Sequence, residues 1–297
     1  MQRRLKLLAF AACCVLGAGL MLTYWHHEAA ARQRQLPLDA FERGPYRFDP
    51  GFGQRRADGP APGPVIIPYV RPEFARQMRE LRPAILAAAA RHNRRELSAM
   101  SDHDFAVLIA VIMYNEHFGW FEERVTPVQA LTPLYEDLQR ETNATGISDL
   151  SVWPANIRPS VALEILRQQL PLPHGSATIT VPITVAGSTI RPATFDSRSQ
   201  LSAAITGEIS DPPLAVEYLA ANLERGMYRA HYEQVAVTWR ALAAWHNQGI
   251  VAPADLRQNA TASDYVRRAS AYFATARRLL DAPAPAPTMP RRQPLLE

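Results

Sequence analysis

Cysteine and lysine are scarce in this sequence. The two cysteines, Cys13 and Cys14, lie together near the N-terminus, and Lys6 is the single lysine. The body of the chain therefore has no disulfide and depends on its core for stability. The other basic residues are arginines, and the formal net charge is only +4. So small an excess does not predict nucleic-acid binding, and it does not choose between lipid headgroups and an acidic cell wall.

The common motifs of phosphate binding, nucleophilic catalysis and metal binding are also missing. There is no Gly-rich phosphate loop, no Gly-x-Ser-x-Gly elbow and no Cys/His nucleophile pair in the part that follows the cysteines. The histidines show no spacing that is typical of a metal site. We therefore expect no metal and no other cofactor, and most enzyme classes that depend on these motifs are excluded.

An apolar run lies near the N-terminus. Residues 7–25 carry no charge, and their length is close to the roughly 20 residues that a helix needs to cross a bilayer. Arg3, Arg4 and Lys6 precede the run, so the positive-inside rule places the N-terminus in the cytoplasm. We predict a single-pass anchor in a bacterial cytoplasmic membrane, with the C-terminal domain on the periplasmic or cell-wall side. The alternative is a signal peptide that is cleaved at Ala29-Ala30-Ala31.

Composition divides the rest of the chain into a linker, a body and a tail. Residues 26–71 are rich in Pro, Gly and Arg without sustained periodicity, which is typical of a linker. The body, residues 72–281, is predicted to be all-α with one β-hairpin insertion at about 177–195, where β-branched residues flank Ala186 and Gly187. The Pro-rich residues 282–297 are predicted to form a disordered tail.

Apolar spacing predicts the helices of the body. Residues 72–97 have helical spacing, which Pro83 is expected to break into two pieces. Ser101 and Asp104 form a capping pattern before a nearly continuous apolar run, which predicts a buried central helix with Glu116 in its last turn and Gly119 as its C-cap. Further helices are predicted at residues 132–142, 159–170, 212–230, 233–247 and 262–281.

Glu116 is the first candidate for catalysis. A carboxylate near the end of an apolar helix is desolvated, and desolvation raises its pKa toward a value that suits a general acid. A lone Glu at a helix end is more often a solvated surface residue. The catalytic interpretation therefore depends on other segments of the chain.

Three later segments, taken in order with Tyr114-Asn115-Glu116, resemble motifs of the lysozyme-like lytic transglycosylases over about residues 100–250. In that family a catalytic Glu ends a buried helix, and a Ser-x-Gly-x-x-Gln-Ile segment starts the next. An Asp-Pro helix then carries a Tyr-Leu pair, and an Ala-x-x-Tyr-Asn-x-Gly segment lines the far side of the cleft. The corresponding segments here are SVWPANIRPS from Ser151, DPPLAVEYL from Asp211 and AAWHNQG from Ala243.

The resemblance implies a lysozyme-like fold and cleavage of the β-1,4 bond between muramic acid and glucosamine in peptidoglycan. Glu116 would protonate the glycosidic oxygen and later act as the base, while the 6-hydroxyl of the substrate attacks the anomeric carbon. A further set of residues would bind the substrate or contact Glu116: Ser151, Asn156, Tyr218, His246 and Asn247. The implied partners are peptidoglycan strands, and the membrane through residues 7–25.

Three positions depart from the family pattern. Trp153 replaces Gly, Asn156 replaces Gln and His246 replaces Tyr. These departures leave open a second interpretation, a non-catalytic, membrane-anchored protein that binds glycan or assembles the envelope. A third interpretation is a component of an envelope-spanning secretion or conjugation machinery that opens the wall locally.

Two further questions concern the neighbourhood of Glu116. An ordinary glycosidase needs a second acid across the scissile bond, and the nearest candidates are Glu122, Glu123 and Asp149. Asp149 is also the kind of residue that caps the start of a helix. Three aromatic residues are either core side chains or sugar-stacking platforms: Trp153, Trp239 and Trp245.

Overall fold

The structure, a computed structural model, describes residues 69–117, 132–146, 148–172 and 177–282. The predicted anchor, nearly all of the predicted linker and the tail beyond residue 282 lie outside the described residues, as do Gly119, Glu122 and Glu123. Within the described ranges the protein is mostly helical with a small two-stranded hairpin, which agrees with the predicted all-α class. Helices long and apolar enough to span a membrane are absent from those ranges.

The elements are numbered here in chain order. The helices are α1 (Pro72–His92), α2 (Arg95–Ser98), α3 (Asp102–Glu116), α4 (Thr132–Ala144), α5 (Pro159–Leu166), α6 (Arg198–Ser210), α7 (Pro212–Tyr232), α8 (Trp239–Gln248), α9 (Pro253–Gln258), α10 (Ala260–Ser270) and α11 (Phe273–Asp281). The strands are β1 (Gln169–Pro171) and β2 (Thr178–Thr180), which pair antiparallel with Leu170 opposite Ile179.

Helix α3 is the centre of the fold. Ser101 caps it by accepting a hydrogen bond from the backbone N–H of Asp104 at 3.1 Å, as the sequence pattern predicted. Every residue from Phe105 to Glu116 is buried, because α1, α7, α8, α10 and α11 all pack against this helix. The apolar run is thus explained by contacts on all sides of the helix. Glu116 ends the helix inside the domain and not on its surface.

A buried ionic network joins α1 to α7. Nδ1 of His92 lies 2.7 Å from Oε2 of Glu224, and its Nε2 lies 3.1 Å from Oε2 of Glu217. Nε of Arg94 donates to the other oxygen of Glu224 at 2.5 Å. Such pairing is needed because an isolated buried charge loses several kcal/mol of solvation free energy. The network fixes α7, the second core helix, against the end of α1.

The prediction that Pro83 breaks the first helix was wrong. Helix α1 continues through Pro83 and ends at His92, with Asn93 as its C-cap. Proline removes one backbone hydrogen bond and normally kinks or ends a helix. Here the buried face of α1, which includes Met78 and Ile85, packs on α3 and α7 and holds the helix together.

The predicted hairpin has a different partner strand. Strand β2 lies in the predicted region, but it pairs with β1, a segment that was predicted to end the helix at 159–170. Helix α5 ends at Leu166, and Gln168 has a φ of +57°, so the chain turns there into β1. Residues 181–191 form no strand with a neighbour. Pro182 has no N–H to donate to a ladder, while the adjacent Val181 and Ile183 are buried, which explains the strand-like pattern.

Other differences concern helix ends. Helix α8 starts at Trp239, later than predicted, because Oγ1 of Thr238 accepts a hydrogen bond from the N–H of Ala241 at 3.0 Å and caps it there. The helix predicted at 262–281 is two helices, since the chain bends at Ala271 and Tyr272 between α10 and α11. Helix α6 was not predicted, because its sequence has little apolar periodicity.

Candidate active site

A cavity of about 390 Å³ lies at the C-terminal end of α3. Its walls come from the loop before α5, from α5 itself, from α7 and from the end of α8. Five of the six residues predicted for the site line this cavity: Glu116, Ser151, Asn156, His246 and Asn247. Segments that are up to about 130 positions apart in the chain therefore meet at one place.

A larger cavity of about 620 Å³ lies along the start of α1 and includes Trp153. Its lining contains exposed charged residues such as Arg76 and Glu80. We place the candidate site in the smaller cavity, because a buried carboxylate there is contacted by several donors. Such convergence is the more specific sign of a catalytic or binding site.

The carboxylate of Glu116 is contacted from three directions. Nδ2 of Asn156 donates to Oε2 at 2.5 Å, and the hydroxyl of Tyr265 donates to Oε1 at 2.6 Å. Nε2 of His246 lies 3.4 Å from Oε1, within ion-pair distance. Glu116 is 8% exposed. Both carboxylate oxygens thus have partners within the protein, and the side chain is held in one position at the cavity.

The pKa of Glu116 is lowered, opposite to the direction that the sequence predicted. Burial is the largest single influence and raises the pKa, but the hydrogen bond and charge of His246 and the hydrogen bonds of Tyr265 and Asn156 together outweigh it. The prediction rested on desolvation alone, because the donors come from distant segments. The carboxylate is therefore ionised at neutral pH, and a role as an acid would require these contacts to change.

Tyr265 contacts Glu116 directly and was missed by sequence reasoning. It lies on the buried face of α10 and is 2% exposed. Burial raises its pKa well above the ordinary value, and the charge and hydrogen bond of Glu116 raise it further. Tyr265 is therefore a neutral phenol that donates its proton to the hydrogen bond. No motif surrounds it, and the one available signal was that a buried tyrosine hydroxyl usually has a hydrogen-bond partner.

A tight loop positions Asn156. Val152 and Ile157 pair as an isolated β-bridge, with the N–H of Val152 donating to the carbonyl of Ile157 at 2.9 Å. Within the loop the Trp153–Pro154 peptide bond is cis, and Asn156 has a φ of +50°. Asn adopts this left-handed conformation more readily than most residues with a side chain. The loop thus brings the amide of Asn156, where the family pattern has a longer Gln, into direct contact with Glu116.

The last turn of α8 contributes His246 and Asn247. The side chain of His246 is 1% exposed, and its Nδ1 is buried without a hydrogen-bond partner in the described part of the chain. Helix α8 lies close to α7 at Gly226, where an added Cβ would be only 2.7 Å from Cδ2 of Leu242. The absence of a side chain at Gly226 therefore lets α8 approach α7 and form this wall of the cavity.

Ser151 and Tyr218 lie in different surroundings. Ser151 lines the cavity, but no hydrogen bond to Glu116 is present among the described residues. Tyr218 is fully buried and is not part of the cavity lining. Its hydroxyl donates to Oε2 of Glu208 at 2.6 Å, and burial raises its pKa. The structure therefore does not bring Tyr218 together with the other predicted site residues.

Two other carboxylates near Glu116 have different surroundings: Asp149 stabilises the start of a helix, whereas Glu164 lines the cavity. Asp149 accepts hydrogen bonds from the N–H and Oγ of Ser160 at 2.8 and 2.6 Å, and so it caps the start of α5. Glu164 does line the cavity, where its Oε2 lies 2.5 Å from Nη2 of Arg225. Among the described residues, Glu116 and Glu164 are the carboxylates of the cavity lining.

The three tryptophans occupy different environments. Trp239 packs edge-on against Phe273 at 4.8 Å between ring centroids, as a core residue. Trp153 lies beside Phe74 in the larger cavity. Trp245 lines the candidate site, but it is only 2% exposed and its Nε1 donates to the carbonyl of Val251 at 3.0 Å. Its exposed part is too small to offer a full ring face to a sugar.

The arrangement can take up or release a proton at one fixed carboxylate beside a cavity. Within the described ranges, no group of three His, Cys, Asp or Glu side chains is placed to hold a metal ion. Comparisons of the chain with protein-family models, with curated proteins and with solved structures found no match.

Proposed function

We propose that this protein is a peptidoglycan lytic transglycosylase with a lysozyme-like domain, in which Glu116 is the acid and the base. The observation that carries the proposal is the convergence of Asn156 and His246 on the carboxylate of Glu116. These residues come from three separate motifs of the resemblance, and the motif pattern alone predicted that they share a cleft. Together with the cavity beside them, these contacts support a role for Glu116 in glycan cleavage.

The chemistry needs one carboxylate. A protonated Glu116 donates its proton to the glycosidic oxygen as the bond from that oxygen to the anomeric carbon breaks. The 6-hydroxyl of the same muramic acid then attacks the anomeric carbon and returns a proton to Glu116, so the acid is regenerated and a 1,6-anhydro sugar is released. No water is consumed. This cycle is compatible with Glu164, the other carboxylate of the cavity, being paired with Arg225.

The donors around Glu116 have a defined part in this cycle. After the first proton transfer Glu116 is a carboxylate, and Tyr265, Asn156 and His246 stabilise that form. Donors that favour the charge developed in the transition state lower the barrier. A sugar that fills the cavity excludes water and increases desolvation, which favours the protonated acid in the complex.

The proposed location follows from the predicted anchor at residues 7–25. It would keep the domain on the periplasmic or cell-wall side of the cytoplasmic membrane, where glycan strands lie. To test the reaction, the full-length chain in mild detergent is incubated with purified sacculi, and the released muropeptides are identified by mass spectrometry. Anhydro products are expected for transglycosylation, and reducing-end products would indicate hydrolysis instead. Glu116→Gln should release neither, while the exposed control Glu96→Gln should act like wild type.

A second candidate is a non-catalytic protein that binds glycan or assembles the envelope. It is favoured by the observation that both oxygens of Glu116 already have partners, as they would in a purely structural carboxylate. This candidate predicts that wild type binds sacculi without releasing muropeptides, and that Glu116→Gln leaves the binding unchanged.

A further inference from the structure

We infer that the candidate cavity contains a subsite for a carboxylate group of the substrate, formed by Arg158 and Arg225. The inference rests on the proposed function, because the glycan is assigned to this same cavity. It adds that the protein selects an acidic amino-sugar polymer over a neutral one. Both arginines line the cavity together with Glu116.

Arg225 is a buried cation with unused hydrogen-bond capacity. Its side chain is 2% exposed, its Nη1 donates to Oδ1 of Asn222 at 3.1 Å, and its Nη2 lies 2.5 Å from Glu164. A guanidinium has five N–H donors, so these contacts use only part of them, and its Nε has no partner in the described part of the chain. Arg225 lines the cavity, and its side-chain contacts within the described ranges are those to Asn222 and Glu164. A second anion beside this buried cation would be favourable, because these contacts use only part of its donors.

Arg158 is the exposed member of the pair. It precedes α5 and follows Asn156 by two positions, so it belongs to the same loop that contacts Glu116. Within the described ranges its guanidinium makes no hydrogen bond or ion pair. Holding a free cation at a cavity wall gives no stability in the absence of a ligand, whereas a carboxylate can bind a guanidinium through two parallel hydrogen bonds.

The charges that line the cavity are consistent with an acidic ligand. Glu116 is paired with His246, and Glu164 is paired with Arg225. Arg158 is the charged lining residue without a partner among those described. A neutral glycan would give Arg158 no ion-pair partner, whereas a carboxylate on the sugar, or on a peptide attached to the sugar, would pair with it.

The experiment measures binding by isothermal titration calorimetry, with the full-length chain carrying Glu116→Gln so that ligands are not cleaved. Three ligands separate the sources of the carboxylate: a muramic acid–glucosamine disaccharide with a free lactyl carboxylate, its methylamide, and the same disaccharide bearing a peptide with free carboxylates. The added substitution is Arg158→Gln, which removes an exposed charge that has no partner among the described residues. The matched control is Arg167→Gln, an exposed arginine just after α5 that does not line the cavity.

We expect at least one carboxylate ligand to bind more tightly than the methylamide, and Arg158→Gln to weaken that ligand by about fivefold while sparing the methylamide. The ligand that responds identifies the source of the carboxylate. Equal affinities for all three ligands, or an equal loss on all of them, would overturn the subsite while leaving glycan cleavage intact. If none of the ligands binds and sacculi are not cleaved, the proposed function and the subsite fail together.

Discussion

The hydrogen bond from Tyr265 to Glu116 can be removed with little change in packing. Tyr265→Phe deletes one hydroxyl from a ring that is 2% exposed and leaves the rest of the side chain in place. The lost contact is a 2.6 Å hydrogen bond to an ionised carboxylate. Hydrogen bonds to charged groups contribute about 1.5 to 3 kcal/mol, so the free energy of unfolding at pH 7 should fall by about that amount.

The loss of unfolding free energy in Tyr265→Phe should depend on pH in a defined direction. The pKa of Glu116 is lowered in the folded protein, and the hydrogen bond from Tyr265 contributes to this lowering. A carboxyl group whose pKa is lowered on folding stabilises the fold at pH values above its pKa in the unfolded chain, about 4.3. This stabilisation is lost as the pH falls through the pKa of the group in the folded protein. The difference in the free energy of unfolding between wild type and Tyr265→Phe should therefore be fully present above about pH 5 and should become smaller at lower pH.

The assay is urea unfolding of the full-length chain in mild detergent at pH 7 and at several acidic pH values, with linear extrapolation to water. Tyr114→Phe is the matched control, because Tyr114 is 3% exposed and lies in the same helix as Glu116. Its hydroxyl makes no hydrogen bond in the described part of the chain. If the two variants lose equal stability at every pH, or if the Tyr265→Phe gap does not depend on pH, the hydrogen bond does not act through the ionised Glu116.

Two further predictions concern the walls of the site. His246→Gln removes the partner whose charge lowers the pKa of Glu116, so this pKa should rise. Because Glu116 must be protonated to act as the acid, the fall of the muropeptide release rate on the alkaline side of its pH profile should move to higher pH. If this side of the profile does not move, His246 does not have this role. Gly226→Ala places a Cβ 2.7 Å from Cδ2 of Leu242, so the free energy of unfolding, measured by thermal unfolding, should fall by about 1 to 3 kcal/mol. The control Gly207→Ala, whose added Cβ has no atom within 4 Å, should not lower the free energy of unfolding.

The central helix was the most predictable element of the fold. A cap at Ser101 and a long apolar run are local signals, and they placed Glu116 at the end of a buried helix. The continuity of α1 through Pro83 was not predictable in the same way, because it depends on packing against α3 and α7. Strand β2 was predicted but its partner was not, since strand pairing is decided by the turn after α5.

The candidate site was predictable only as far as motifs extend. The motifs identified Asn156 and His246, and both contact Glu116. Tyr265 lies beyond the last motif in a helix that looks like ordinary core, so its contact with Glu116 depends on how α10 packs against α3. Without that contact in view, the direction of the pKa of Glu116 was predicted wrongly, because burial and hydrogen bonding act in opposite directions.

The most direct test of catalysis by Glu116 measures binding and muropeptide release in the same samples. Wild type and Glu116→Gln, both as full-length chains, are mixed with purified sacculi, and the bound protein and soluble muropeptides are followed over time. We predict equal binding by the two proteins, and release by wild type that exceeds release by Glu116→Gln by at least about a hundredfold. Equal binding with no release by wild type, or equal release by both proteins, would contradict a catalytic role for Glu116.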